Sequence, residues 1–270
     1  MVGIKRLRRS CAVLVAVTAL VTMMVAPASA VTNGELDGEG HPYVGIMVAK
    51  NSAGTPMWRC TGTLLSATVF LTAGHCTESP AASVEIWFHA DMQTNAAALG
   101  YPNTGQVSGI PHTHPQYDPT AFYLFDLGIV TLNTPFPMAT YGTLPTLDQL
   151  DSLKPGPRSS FTSVGYGLQR AFPDAASWKD VALKIRMVAH PQLLQINNAF
   201  TGDGSLLLSN NANTAGTCFG DSGGPNFLGT STVIAGVTSF GINPTCAGTG
   251  GVYRIDRADD LAFINSFLTP

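Results

Sequence analysis

The stretch Thr217-Cys218-Phe219-Gly220-Asp221-Ser222-Gly223-Gly224-Pro225 sets a serine between an aspartate and two glycines. A serine hydroxyl is a weak nucleophile at neutral pH and needs a base, which in turn needs an orienting acid. The glycines suit such chemistry, because backbone amides converge on an oxyanion only where no side chain obstructs the turn. Asp221 adjoins the serine, but an acid in the same tight turn is poorly placed to orient a histidine that must face that serine. Base and acid therefore have to come from elsewhere in the chain.

Two other segments offer them. In Leu71–Cys76 (LTAGHC), His75 follows a strand-like run and an Ala-Gly turn. In Phe125–Leu132 (FDLGIVTL), Asp126 stands at the start of another apolar run. Each has an ordinary explanation when taken alone, as a surface or core histidine and as a turn aspartate. In the order His75, Asp126, Ser222, beside the glycine-rich turn, they read as base, orienting acid and nucleophile that a fold must bring together.

The rest of the chain bounds that reading. Of 270 residues, the first thirty run from the basic Lys5, Arg6, Arg8 and Arg9 through the apolar CAVLVAVTALVTMMV (Cys11–Val25) to Ala28-Ser29-Ala30. Basic, apolar, then small is the order of a secretory signal peptide, and the run is short for a membrane span, although an uncleaved anchor is the competing reading. The mature protein is then expected to occupy 31–270, secreted and extracellular, without membrane contact once the signal is removed. Losing four basic residues leaves 10 against 17 acidic ones, a formal charge of −7. That acidic balance, with no Lys/Arg run, argues against nucleic acid as a partner.

Cys11 leaves with the signal, so five cysteines become four: Cys60, Cys76, Cys218 and Cys246. In an oxidising compartment two disulfides are expected; metal ligation competes, without a C-x-x-C pair to support it. His112 and His114 could also suggest a metal pair, but no third ligand stands at useful spacing. No metal and no cofactor are expected.

Short apolar runs at Val44–Val48, Gly62–Leu65, Val69–Thr72, Leu127–Leu132, Ser205–Leu208 and Val233–Phe240 predict strands between turn residues. Only DLAFINSFL (Asp260–Leu268) has helical periodicity, through Leu261, Ile264 and Leu268. The pattern predicts an all-β fold with a C-terminal helix. TPFPMATYGTLP (Thr134–Pro145), with three prolines, is poor strand material and reads as a linker between halves of similar length.

The sequence resembles the chymotrypsin/trypsin-like serine proteases. TAGHC, DLGIV and GDSGGP match that family's three signature regions in its order. Further similarity lies at Val31–Gly34, Val164–Gly167, Ser239–Gly241 and Gly251–Tyr253, whereas Ala81–Gly109 and Ala171–Asn213 match poorly. The resemblance implies two six-stranded antiparallel β-barrels, about 31–137 and 145–258, followed by a helix at about 259–268. It implies a serine endopeptidase in which Ser222 attacks a peptide carbonyl, His75 takes its proton, and Asp126 holds the histidine tautomer. The amides of Gly220 and Ser222 would form the oxyanion hole. Ser239 would contact the triad acid, and Ser239, Phe240 and Gly241 would pair with substrate backbone. Pairings Cys60–Cys76 and Cys218–Cys246 are implied too. Val31 would supply a free amine for an ion pair with Asp221, created directly by signal cleavage.

Substrate choice follows from the position six residues before the nucleophile. Relatives that cut after Lys or Arg carry aspartate there; this chain carries Gly216, followed by Thr217. Without a buried counter-charge a cationic side chain is costly to accommodate. A neutral pocket taking large apolar or aromatic residues is therefore expected, with Gly241 and Gly251 keeping it open and Phe219 near its entrance; Asp203 or another distant acid could still reach in. The expected partners are protein or peptide substrates and a protein inhibitor, with the enzyme a monomer. Competing functions are a secreted binding protein on a protease scaffold, and an esterase, which would more naturally carry G-x-S-x-G in the order Ser, Asp, His.

Overall fold

The computed structural model describes residues 31–198 and 201–268, so the expected signal peptide lies outside the described residues. A short strand β1 (Glu35–Leu36) precedes a closed antiparallel barrel built from β2 (Val44–Lys50), β3 (Pro56–Leu64), β4 (Val69–Thr72), β5 (Ser83–Trp87), β6 (Val107–Thr113) and β7 (Gly128–Leu132). Its spatial order is β2-β3-β4-β7-β6-β5, with β5 returning to β2. β2 is buried along almost its whole length and β4 along all of it, which explains their near-continuous apolar sequences.

The second half contributes β8 (Gly156–Gly165), β9 (Met187–Ala189), β10 (Gln192–Asn198), β11 (Gly202–Asn210), β12 (Pro225–Leu228), β13 (Ile234–Gly241) and β14 (Gly248–Arg254). The order β8-β10-β11-β14-β13-β12 closes through pairing of β12 with β8, while β9 and β1 extend from β8. These are the two six-stranded antiparallel barrels that the sequence led us to expect. The chain between them, 133–145, carries one isolated bridge, Thr143 with Val233. A one-turn helix α1 (Gly74–Thr77) follows β4, and the C-terminal helix α2 is Ala258–Leu268.

Leu64, Phe70, Leu71, Ile86, Ile129 and Val130 fill the first barrel, and the same apolar cluster runs on through Val164, Phe227 and Val237 of the second barrel to Ile264 of α2. The barrels thus share a continuous apolar boundary. Arg186, fully buried just ahead of β9, adds a polar tie: it donates to the Val44 and Phe88 carbonyls of the first barrel and pairs with Asp37 at 2.8 Å.

Strand register sets the position of the site. β4 and β7 pair with Thr72 opposite Gly128, so the residues just beyond those ends, His75 and Asp126, emerge side by side.

Candidate active site

α1 holds His75 at its second residue, between the end of β4 and the Cys60–Cys76 disulfide. Asp126 is fully buried and accepts from the His75 backbone amide at 2.9 Å, which fixes the turn against the acid. His75 Nδ1 lies 2.9 Å from Asp126 Oδ2 and 3.0 Å from Oδ1. From the second barrel, Ser239 Oγ donates to Asp126 Oδ2 at 2.5 Å. The carboxylate therefore stays solvated by donors although no water reaches it, which a buried charge requires. Burial disfavours the charged His75 ring, but the Asp126 carboxylate and its hydrogen bonds, with Glu78 further off, carry its pKa above the ordinary 6.5.

The Ser222 loop is pinned to the first barrel through one residue of β3. Thr61 donates its amide to the Ser222 carbonyl at 2.8 Å and its hydroxyl to the Gly220 carbonyl at 3.0 Å. Gly220 and Gly223 have φ of +96° and +77°, which side-chain-bearing residues rarely adopt. Gly223 also sits against the first barrel, where a Cβ would collide with the Thr72 hydroxyl. The glycines are thus required by the docking of the loop as well as by its curvature.

Ser222 and His75 line one cavity of about 450 Å³, whose wall also includes Thr217, Cys218, Phe219, Ser239, Phe240, Gly241, Cys246 and Thr249. The Cys218–Cys246 disulfide joins the nucleophile loop to the opposite wall. Phe219 is 52 % exposed at the rim.

The Trypsin family model matches residues 35–260. The chain belongs to the trypsin family. It is 25 % identical over 196 residues to trypsin iota of Drosophila melanogaster, covering 72 % of this chain and 73 % of that protein. Among solved structures it resembles HL collagenase (20 % identity, TM-score 0.67, 87 % of this chain and 97 % of that one). It also resembles human heparin binding protein (19 % identity, TM-score 0.65, 88 % and 96 %). At those identities the structural likeness speaks for the fold.

In this trypsin-family chain the Asp221 side chain is fully buried and hydrogen-bonded to backbone amides, not to His75. Its oxygens accept from Gly167 N at 2.7 Å and Cys218 N at 2.8 Å, and a Cβ on Gly165 or Gly167 would collide with the carboxylate. Burial pushes its pKa up to about 7, against those two amides and the more distant Arg59. Val31 is fully buried: it packs with Met187, Ala189 and Ala215, and Thr32 forms a bridge with Gly216.

The remaining candidate residues have varied surroundings. The Cα face of Gly216 is covered by Asn210, whose side chain donates to the Thr217 carbonyl at 2.9 Å and accepts from Thr32 Oγ1 at 2.6 Å. The Cα face of Gly251 meets the Phe240 ring, and it is Gly250 that faces Thr217 Oγ1. The cause is an irregularity in β13–β14 pairing between Thr238 and Phe240. Asp203 lies in a different cavity, beside Arg257 at 3.7 Å. His112 Nε2 contacts Thr131 Oγ1 at 2.9 Å, and His114 is buried in a stack with Phe125. Cys60, His75 and Cys76 bring ligand-type atoms within 4.8 Å, but both sulfurs are spent in the disulfide. Sequence reasoning missed Asn210 and Glu78; neither carries a motif, and only tertiary packing reveals them.

Proposed function

We propose that the chain is a secreted serine endopeptidase that cleaves peptide bonds through an acyl-enzyme on Ser222. The observation that carries this reading is the hydrogen-bonded series His75–Asp126–Ser239, whose two ends, His75 and Ser239, line the cavity that Ser222 also lines. In the first step Ser222 Oγ bonds to the substrate carbonyl carbon as its proton passes to His75 Nε2. The resulting oxyanion is met by the amides of Gly220 and Ser222, each such donor contributing about 3–4 kcal/mol. His75 then gives the proton to the leaving amine, and water repeats the sequence to release the acid. Asp126 keeps Nδ1 protonated and offsets the imidazolium charge. Substrate backbone adds as a short strand to Ser239–Gly241.

The first-cleaved residue would be large and apolar or aromatic. Its pocket wall is Thr217, Cys218, Cys246 and Thr249, with the neutral Asn210 behind Gly216 where a charge-selective relative places its acid. Val31, once its amine is free, would pair with Asp221 and hold the oxyanion turn.

A peptidyl diphenyl phosphonate with phenylalanine at the reacting position tests the reading. Stoichiometric labelling of Ser222, lost in Ser222→Ala and accompanied by cleavage of Phe peptides faster than Arg peptides, is the expected result. No labelling of a protein beginning at Val31 would favour a binding role on the same scaffold.

A further inference from the structure

The cavity wall contains a carboxylate that the proposed mechanism does not use. Glu78 follows α1, three residues beyond His75, and among the residues lining the cavity it is the one carboxylate. Its backbone amide donates to the Gly74 carbonyl at 3.0 Å, so its main chain is fixed independently of its side chain. Tyr117 lines the same cavity. Among the described residues no lysine or arginine stands within ion-pair distance of Glu78. Asp37, Glu85 and Asp256 are matched with Arg186, Lys50 and Arg254, whereas Asp221 and Asp260, buried against neutral donors, do not line this cavity. A semi-enclosed carboxylate facing a cavity without its own cation is a site awaiting one.

Strand geometry indicates which substrate residue reaches it. This step rests on the reading of Ser239–Gly241 as the edge that pairs with substrate. Side chains of an extended peptide alternate between opposite faces. With one side chain in the pocket between Thr217 and Cys246, the preceding one turns away from that pocket, and His75, Glu78 and Tyr117 are among the cavity residues that the first barrel contributes for it to meet.

We infer that Glu78 makes this enzyme select a lysine or arginine immediately before the cleaved residue. Charge selectivity has then moved from the pocket base, where Gly216 and Asn210 are neutral, to the histidine wall. The pair of apolar residue at the cleavage point and cation before it defines the substrate class.

Three phosphonate probes with phenylalanine at phosphorus and lysine, alanine or glutamate before it measure the effect. In each, Ser222 Oγ displaces one phenoxide from phosphorus, so the labelling rate reads binding and attack together. The native protein is expected to react about tenfold faster with lysine than with alanine, and again faster than with glutamate; tenfold is about 1.4 kcal/mol. Glu78→Gln should bring the lysine-to-glutamate ratio near one, and Glu78→Lys should invert it. Raising salt should reduce the native ratio, since a partly exposed ion pair is screened. Equal rates for all three probes in the native protein, or a ratio unchanged in both variants, would overturn the inference while leaving the peptidase reading intact. Failure of every probe would overturn both.

Discussion

Blocking the Val31 amine should cost the protein stability above neutral pH, and Asp221 sets the size of the effect. In the 270-residue chain Val31 is an internal residue, and burial holds Asp221 at a pKa of about 7 against an ordinary 3.8. A carboxyl whose folded pKa is raised stabilises the fold fully below its unfolded value and loses that contribution as pH rises through the folded one. Roughly three pKa steps at 1.36 kcal/mol each make about 4 kcal/mol in total, of which about 3 kcal/mol falls between pH 5 and 8. A free ammonium at Val31 would stabilise the ionised carboxylate instead and offset that loss. The comparison is between protein beginning at Val31 and protein retaining Ala30, each unfolded in urea at pH 5 and pH 8. The form retaining Ala30 should lose about 3 kcal/mol more across this interval, and Asp221→Asn should abolish the difference. Equal pH slopes in both forms, or a difference that persists in Asp221→Asn, would refute the assignment of Asp221 as the partner of that amine.

Other expectations follow from the same contacts. Asp126→Asn should leave the fold intact but lower kcat about 10⁴-fold, because the amide no longer selects the His75 tautomer that can accept the Ser222 proton; steady-state kinetics with a Phe peptide measures it. Because His75 must be neutral to act as base and its pKa lies above 6.5, kcat/KM should rise with pH through a midpoint above 6.5. Arg186→Met should cost about 3–5 kcal/mol in urea unfolding, since it leaves the buried Asp37 with His41 alone and removes the donors to Val44 and Phe88. Replacing Cys60 and Cys76 together by serine should cost about 3 kcal/mol for a loop of this length, by the same assay.

How much of this the sequence disclosed depends on where each residue's role originates. Val69–Thr72 was legible to the residue because β4 is buried on both faces and reads as an unbroken apolar run. β6 was not, since VSGIPHT mixes Gly, Pro and His. The pairing explains why that mixture is tolerated: β5 pairs with β6 no further than Gly109, so Pro111 faces a partner on the β7 side alone. β8 and β14 were hidden likewise, the first by an exposed beginning and the second by glycines that let strands approach closely. In the site, His75, Asp126 and Ser222 were visible because the proposed catalysis demands those side chains whatever their position. Asn210 and Glu78 could not be found that way. An asparagine behind a glycine, or a glutamate one turn past a histidine, takes its meaning from what the fold leaves empty beside it.

The same distinction explains why motifs alone do not make the site. His75 and Asp126 belong to one barrel, Ser222 and Ser239 to the other, so their alignment is a matter of how the barrels dock. Apolar packing across the boundary is non-directional and would tolerate sliding of the two halves. Hydrogen bonds fix the slide. Thr61 binds the carbonyls on both sides of Asp221, Thr72 Oγ1 holds the Thr61 carbonyl at 2.8 Å, and Ser239 reaches across to Asp126. Arg186 ties the second barrel to two further first-barrel carbonyls. Thr61→Val, nearly isosteric, tests this contribution: it keeps the apolar contact but leaves the Gly220 carbonyl without its hydroxyl donor and the Tyr166 amide without its acceptor. A buried acceptor left unmade costs about 1–3 kcal/mol. If the docking bonds align the site, labelling of Ser222 should slow markedly in this variant while Asp126→Asn and Thr61→Val combine less than additively, because both act on the geometry between His75 and Ser222. Strict additivity of the two in kcat/KM would mean that the barrels are aligned by apolar packing after all.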